Sequence, residues 1–192
     1  MLRRLYDWTL SLAEHRHALW VLAAVAFAES SFFPIPPHVL IIPMVLAAPS
    51  RAWLIAGVCT LASVTGGAFG YFIGASLYES VALPILDLYH KTALFEDFAR
   101  RYNDQGAWAV LFAGLTPFPY KIITIASGAT GLNFATFMVA SIIARGTIFF
   151  VIAGLLWQFG EPIRGFIERR LAWLFVLFLV LLIGGFYVLR FL

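Results

Sequence analysis

The sequence is poor in charge. Only 12% of its 192 residues are Asp, Glu, Lys or Arg, about half the share of an average soluble domain, whereas 62% are hydrophobic. So few polar groups cannot cover a surface that faces water, and lipid is the expected surrounding. The formal net charge of +3 in so apolar a chain indicates basic residues at membrane faces, not a nucleic-acid interface.

Cysteine and catalytic motifs are scarce as well. Cys59 is the single cysteine, so an internal disulfide is excluded. The chain has no Gly-rich phosphate loop after a strand, no H-E-x-x-H zinc motif, no G-x-S-x-G elbow and no Cys/His metal spacing. We therefore predict that the protein is not an enzyme and has no catalytic residue, no metal and no cofactor.

Long uncharged runs are abundant. Three of them are long enough to cross about 30 Å of hydrocarbon, which takes about 20 residues. They are Ala52 to Tyr78, Ile122 to Ala144 and Leu171 to Leu189. The second run continues past Arg145 to Trp157 if its helix begins at Asn133, after the break at Gly131. The sequence therefore predicts about three full transmembrane helices.

Two further apolar segments, His17 to Ala48 and Ala107 to Gly131, are interrupted by prolines. The prolines are Pro34, Pro36 and Pro37 in the first segment and Pro117 and Pro119 in the second. Because proline removes a backbone donor and clashes with the preceding turn, each segment is predicted to form two short helices around a bend. Each half is too short to cross a bilayer, so we predict two re-entrant hairpins that line a cavity.

The two hairpins look like copies of one unit. Phe27-Ala28-Glu29 precedes Pro34-x-Pro36-x-His38, and Phe112-Ala113-Gly114 precedes Pro117-x-Pro119-x-Lys121. A long apolar span follows each hairpin. Paired proline-interrupted segments of this kind indicate an internal repeat, as in secondary transporters, with a binding site between the repeats.

These features predict an all-α polytopic membrane protein with one domain over residues 1–192. Its parts are an amphipathic N-terminal helix (1–16), a first repeat (17–79), an amphipathic linker (80–105), a second repeat (106–160) and a C-terminal transmembrane helix (171–190). In the linker, Leu94, Phe95, Phe98 and Tyr102 recur at helical spacing. This pattern predicts a helix at the membrane surface.

Basic residues are unevenly divided between the two predicted faces. If each hairpin returns to its starting side, the N-terminus, Arg51 and the loop from Glu161 to Arg170 share the more basic face. By the positive-inside rule that face is cytoplasmic. A rival interpretation takes Arg16 to Ala28 as a signal peptide, whose cleavage would remove one copy of the repeat.

Three charged residues, Glu29, Lys121 and Arg145, lie within the predicted membrane segments. A charge at the bilayer centre costs roughly 2.5 to 3.5 kcal/mol, so each is expected to face the protein interior. Lys121 and Arg145 are candidates for binding an anionic headgroup, because Arg offers a planar fork suited to phosphate and Lys a point charge. Glu29 is a candidate proton acceptor or cation partner. The structural alternative is that Arg145 pairs with Glu29 and Lys121 reaches the interface.

His38 occupies in the first hairpin the place that Lys121 occupies in the second. It titrates near neutral pH and is therefore a candidate for relaying protons, the alternative being a satisfied bend residue. A row of small residues, Gly66, Gly67, Gly70 and Gly74, runs along the first long span. Such residues let helices approach closely, although the same row would also leave a groove for an acyl chain.

From about Ala18 to Gly160 the chain resembles the DedA membrane proteins, also called SNARE-associated or VTT-domain proteins. The motifs are Glu29-x4-Pro34-Ile35-Pro36-Pro37-His38, Gly106-Ala107-Trp108 leading to Pro117-Phe118-Pro119-Tyr120-Lys121, and Gly128. Arg145 resembles the YqaA-like branch. The resemblance implies two re-entrant hairpins that face each other in the bacterial inner membrane. It also implies lipid movement, with undecaprenyl phosphate or phospholipids such as phosphatidylethanolamine as substrates, and dependence on the proton motive force.

The resemblance also assigns roles to single positions. Glu29 matches the acid of the first hairpin in the family, and His38 stands where many members have a second acid. Lys121 stands near a family Arg. Gly114 replaces a basic position of the main branch, for which Arg145 is the candidate substitute.

Together these observations predict a lipid transporter of flippase or scramblase type. Lys121 and Arg145 would bind a lipid phosphate, while Glu29 and His38 would exchange protons or stabilise the empty site. The expected partners are membrane lipids with anionic or phosphate headgroups, and protons, with no nucleic acid. Two alternatives stay open, a proton-coupled antiporter of small solutes or ions and a non-transporting factor for envelope integrity.

Overall fold

Helices account for the secondary structure throughout the part of the chain that the computed structural model describes. That part covers residues 17–33, 36–116 and 119–189, with the backbone alone for residues 161 and 163–189. The α-helices are α1 (Ala18–Ser31), α2 (His38–Ala47), α3 (Ala52–Leu77), α4 (Leu83–Leu88), α5 (Thr92–Asp104), α6 (Gly106–Leu115), α7 (Tyr120–Ala129) and α8 (Phe134–Leu189). A 3₁₀ turn (Pro49–Arg51) leads into α3, and a π-helical turn (Tyr78–Ala82) leads out of it.

Both proline-interrupted segments fold as two short helices around a bend. Helices α1 and α2 flank the first bend, and α6 and α7 flank the second. Pro37 and Pro119 stand directly before α2 and α7, where the missing N–H of proline costs no helical hydrogen bond. The prediction that each proline-interrupted segment forms two short helices is confirmed. The predicted N-terminal helix (1–16), Pro34, Pro117 and Arg190 lie outside the described residues.

Within the described residues, two stretches of helix are long and apolar enough to cross a membrane, Pro49–Leu88 and Phe134–Gly160. Asn133 caps the second, because its Oδ1 accepts a hydrogen bond of 3.0 Å from the N–H of Thr136. Gly131, with a φ of +67°, makes the turn just before it. The second span therefore begins after Asn133, as one of the two predicted alternatives had it, and Ile122 belongs to α7.

Beyond these spans, the backbone continues as helix. Helix α8 kinks at Phe159, with φ −124° and ψ 27°, and then runs to Leu189 through the predicted third span. The segment from Glu161 to Arg170, predicted as a loop, is helical too. Pro162 lies just after the kink, in the first turn of the continued helix, where proline is tolerated, so it does not end the helix.

The short helices pack on the long helices in a reciprocal pattern. Helix α1 packs on α3 and α6 packs on α8, so the first short helix of each proline-broken segment contacts the long helix that follows it in its own half. Helix α2 packs on α8 and α7 packs on α3, so the second short helix contacts the long helix of the other half. The two halves share this packing pattern, in which the helices of each proline-broken segment contact both long helices.

Glycines make the closest of these contacts possible. A Cβ added at Gly66 would collide with the carbonyl oxygen of Phe27 in α1, and one at Gly74 would collide with that of Ile125 in α7. A Cβ at Gly128 would collide with the carbonyl oxygen of Tyr71. The packing role predicted for the glycine row is therefore confirmed, and backbone fills the space beside Gly66 and Gly74, where an acyl chain was the alternative.

Large apolar side chains cover much of the outside of the described structure. Trp20 is 77% exposed, Leu61 70% and Trp108 74%. Many exposed large apolar side chains in a chain with two membrane-length helices agree with the lipid surrounding inferred from the composition.

The linker helix α5 is only partly turned outward. Leu94 and Phe98 are exposed, as expected of a helix at a membrane surface. Tyr102 instead contacts α7, where its hydroxyl lies 2.9 Å from Ser127 Oγ, and Asn103 Nδ2 donates to the carbonyl oxygen of Thr130 at 2.8 Å. Burial raises the pKa of the Tyr102 hydroxyl above its usual value, so this contact stays neutral at physiological pH.

Candidate functional site

Glu29 of α1 and Arg145 of α8 form a buried ion pair between the two repeats. Arg145 Nη2 donates to Glu29 Oε2 at 2.8 Å, and the two side chains are only 4% and 13% exposed. Burying one of these charges alone would carry a large desolvation cost, which the partner offsets. The pairing predicted as the structural alternative for Arg145 is therefore present.

Two serines close this pair into a ring of hydrogen bonds. Arg145 Nε donates to Ser63 Oγ at 2.6 Å, and Ser63 Oγ lies 2.7 Å from Ser30 Oγ. Ser30 Oγ in turn donates to Glu29 Oε2 at 3.2 Å. Since both serines are fully buried, the ring supplies polar partners that water supplies elsewhere. Neither serine was predicted as a site residue. In the sequence, each is marked only by a hydroxyl group within an apolar helix.

Aromatic rings contact the guanidinium of Arg145. Its central carbon lies 4.8 Å from the centroid of the Tyr120 ring and 4.6 Å from that of Phe149, within cation–π range. Tyr120 donates its hydroxyl hydrogen to Ser141 Oγ at 2.5 Å, which fixes the ring. The second bend therefore reaches the ion pair through Tyr120, a residue that the sequence did not single out.

A hydrogen bond from a side chain to the backbone also joins α7 to α1. The hydroxyl of Thr124 in α7 lies 3.0 Å from the carbonyl oxygen of Ser30 and 2.9 Å from that of Lys121, so it shares one hydrogen between the two acceptors. Thr124 and Ser30 are fully buried. This contact ties the second hairpin segment to the first next to the ion pair.

His38 lies beside the site without joining its hydrogen bonds. Its ring centroid is 5.5 Å from that of Phe149, the same ring that covers Arg145. Within the described part of the chain, no hydrogen bond connects His38 with Glu29. A role of His38 in proton exchange stays a prediction.

Lys121 is separate from the ion pair. It follows Tyr120 in the first turn of α7 and is half-buried. Among the described residues, no side chain pairs with its ammonium group. The two predicted headgroup cations therefore differ, since Arg145 pairs with Glu29 whereas Lys121 has no ion-pair partner among the described residues.

Over the described ranges, no three His, Cys, Asp or Glu side chains lie close enough together to hold a metal ion.

Comparison with known proteins gives a family. A family model of the VTT domain matches residues 35–158, which include His38, Lys121 and Arg145, whereas Glu29 and Pro34 precede the matched range. The chain is 32% identical to an uncharacterized protein of Haemophilus influenzae over 167 residues, covering 87% of this chain and 86% of that protein. It is 34% identical to an uncharacterized protein of Histophilus somni over 168 residues, covering 85% and 87%.

No solved structure matches the chain. The family match covers most of the chain, including Arg145 and its contacts Ser63, Tyr120 and Phe149, and nearly all of the two membrane-length helices. The chain therefore belongs to the VTT-domain family of membrane proteins, the DedA family.

Proposed function

We propose that this protein is a lipid transporter of flippase or scramblase type. It moves a phosphate-bearing lipid, such as undecaprenyl phosphate or a phospholipid, across the bacterial inner membrane, with protons as the coupling ion. The observation that supports the proposal is the buried pair of Arg145 and Glu29, which connects the two halves of an otherwise apolar chain. Ionisable groups at membrane depth are costly and mark substrate or ion pathways.

The proposal includes the path of the chain through the membrane. Helices α1 and α2, and likewise α6 and α7, enter and leave from one face. Helix α1 has 14 residues and the other three have 10, so at 1.5 Å per residue each is shorter than the roughly 30 Å of a hydrocarbon core. Helix α3, the first half of α8 and its C-terminal part are the spans, and the N-terminus is cytoplasmic.

The proposed roles follow from the two kinds of cation. Lys121, in the first turn of α7, pairs with no carboxylate of the described residues and makes the first contact with a lipid phosphate. Arg145 binds the phosphate deeper in the protein, where its planar fork fits two phosphate oxygens. Glu29, with His38, exchanges protons or stabilises the empty site.

A small-ion antiporter is the second candidate. It is favoured by the carboxylate of Glu29, which already pairs with one cationic group and is of the chemical type that binds small cations. The antiporter would use the same hairpins and the same carboxylate. Lipid movement distinguishes the two candidates.

The test is transport by the full chain reconstituted into liposomes. One sample contains a fluorescent phospholipid whose inner-leaflet fraction is read by quenching with dithionite, and a second contains a pH-sensitive dye. Lipid movement above that of protein-free liposomes supports the proposal. Proton-coupled ion flux without lipid movement supports the antiporter. If folded protein moves neither lipids nor ions, the non-transporting factor for envelope integrity is the interpretation that stays.

A further inference from the structure

The guanidinium of Arg145 is already occupied on one of its bidentate edges. A phosphate or carboxylate engages a guanidinium in bidentate fashion through two parallel N–H groups, as Nε and Nη2 offer on one edge. In this structure Ser63 Oγ accepts from Nε at 2.6 Å, and Glu29 Oε2 accepts from Nη2 at 2.8 Å. The rings of Tyr120 and Phe149 lie within 5 Å of the guanidinium carbon. An anion that uses this edge therefore has to displace Glu29.

We propose that Glu29 is an internal competitor for the anion-binding edge of Arg145, and that protonation of Glu29 hands this edge to a phosphate oxyanion. The inference rests on the proposed function, in which Arg145 binds a phosphate, and it adds how the site selects and releases one. The phosphate belongs to a lipid headgroup or to a free phosphate ester. Both present the same pair of oxygens to the guanidinium.

Charge balance supports the exchange. With Glu29 ionised, the positive charge of Arg145 and the negative charge of the carboxylate cancel. When Glu29 takes up one proton and a singly charged phosphate diester binds Arg145, the site again has no net charge. Because a net charge in a low-dielectric interior is costly, a neutral site in both states keeps the exchange within reach of modest binding energies.

Other titratable groups face the pair from each neighbouring helix. His38 comes from α2, Cys59 from α3 and Tyr120 from α7, and each interacts electrostatically with Arg145. Thiol and phenol groups ordinarily titrate above neutral pH, whereas imidazole titrates near neutrality. His38 is therefore the group that has to be separated from Glu29 by experiment.

The test measures binding of two phosphate diesters to the purified full chain in detergent, from about pH 8 to about pH 4. The probes are dimethyl phosphate and dihexanoyl phosphatidylglycerol, which keep one negative charge over this range. Wild-type protein is expected to bind its probe about tenfold more tightly at the acidic end, a difference of about 1.4 kcal/mol. The Glu29→Gln variant is expected to bind tightly at every pH, and His38→Gln to keep the wild-type pH dependence.

A second pair of variants tests whether the gain in affinity depends on the bidentate edge of Arg145. Arg145→Lys keeps the positive charge but lacks the bidentate edge, so adding Glu29→Gln to it is expected to bring no gain in affinity. Monodisperse elution and thermal melting show which variants are folded. If Arg145→Lys does not fold, the comparison of wild type, Glu29→Gln and His38→Gln decides the question.

Each outcome has a meaning. Binding of both probes assigns the site to a phosphate diester as such, and binding of phosphatidylglycerol alone assigns it to a lipid headgroup. A folded Glu29→Gln variant that binds no better than wild type would overturn the proposal, as would a pH dependence that disappears in His38→Gln. If Glu29 competes with phosphate for Arg145 but the protein moves no lipid in liposomes, the proposed transport function is refuted and the proposed competition stands.

Discussion

Arg145 Nη2 donates to Glu29 Oε2 at 2.8 Å, although 116 positions separate the two residues in the sequence. The chain contains a natural comparison for this contact, the ion pair of Arg101 and Asp97 at 2.9 Å on the surface of α5. The side chains of the first pair are 4% and 13% exposed and those of the second 79% and 46%. The two pairs therefore separate the effect of burial from that of distance.

Removing one partner of the buried pair is expected to destabilise the protein strongly. Arg145→Met leaves the Glu29 carboxylate buried without a counter-charge, which should cost about 3–5 kcal/mol. Thermal melting in detergent measures the loss. Arg145→Met combined with Glu29→Leu should recover most of it, because an apolar pair needs no counter-charge. Arg101→Ala, the exposed control, should change stability by about 0–1 kcal/mol. Equal losses in Arg145→Met and Arg101→Ala would contradict the burial argument.

The close contacts of the glycines lead to a second prediction. Gly74→Ala and Gly128→Ala each place a methyl group against a backbone carbonyl and should prevent the packing of α3 against α7. Gly57→Ala is the matched control in α3, since a Cβ at Gly57 meets nothing within 4 Å, and it should be neutral or gain up to about 1 kcal/mol. Yield of monodisperse protein and melting temperature test both. Wild-type behaviour of Gly128→Ala would show that these helices are farther apart.

The contact between α7 and α1 next to the ion pair depends on the hydroxyl of Thr124. Thr124→Val removes the hydrogen bond to the carbonyl oxygen of Ser30 at nearly constant volume and should cost about 1–2 kcal/mol. Thr65→Val is the control, because Thr65 is exposed and its hydroxyl bonds only to carbonyl oxygens of its own helix. Its melting temperature should stay that of wild type. If both variants melt alike, the hydroxyl of Thr124 does not tie the segments together.

The topology predicts opposite accessibility of the two ends of α3. This helix has 26 residues, about 39 Å at 1.5 Å per residue, so Arg51 and Lys91 should lie on different faces of the membrane. Single cysteines at these positions, in a Cys59→Ala background, are treated with a membrane-impermeant maleimide. Lys91→Cys should be labelled from outside intact cells and Arg51→Cys only in inverted vesicles. Labelling of both from the same side would refute the span.

Local rules of the backbone explain which parts of the fold the sequence predicts. Proline before a helix and asparagine at a helix start act through neighbouring residues, so the two bends and the start of α8 after Asn133 can be derived from the sequence. The amphipathic pattern of α5 is less specific. Its stripe includes Tyr102, which contacts Ser127 in α7, because a hydrophobic face does not tell lipid from protein.

The site could be predicted only in part, because the sequence shows which residues are charged but not which residues contact them. A charge in an apolar segment is visible by itself, which identified Glu29, Lys121 and Arg145, and their chemistry offered pairing as one alternative. Ser63 and Phe149 give no such signal, since one small hydroxyl or one ring in a membrane helix is ordinary. Their importance comes from tertiary contacts with Arg145, which pair positions far apart in the chain.

The central claim is that the ion pair of Glu29 and Arg145 works in lipid transport, and the most direct measurement is the rate of lipid movement by variants in liposomes at equal protein content. Arg145→Lys and Glu29→Gln are expected to lower the rate at least about tenfold, since one lacks the fork and the other the exchangeable proton. Arg101→Ala, which breaks the exposed pair, is expected to transport at the wild-type rate. Wild-type rates from folded Arg145→Lys and Glu29→Gln would contradict the claim.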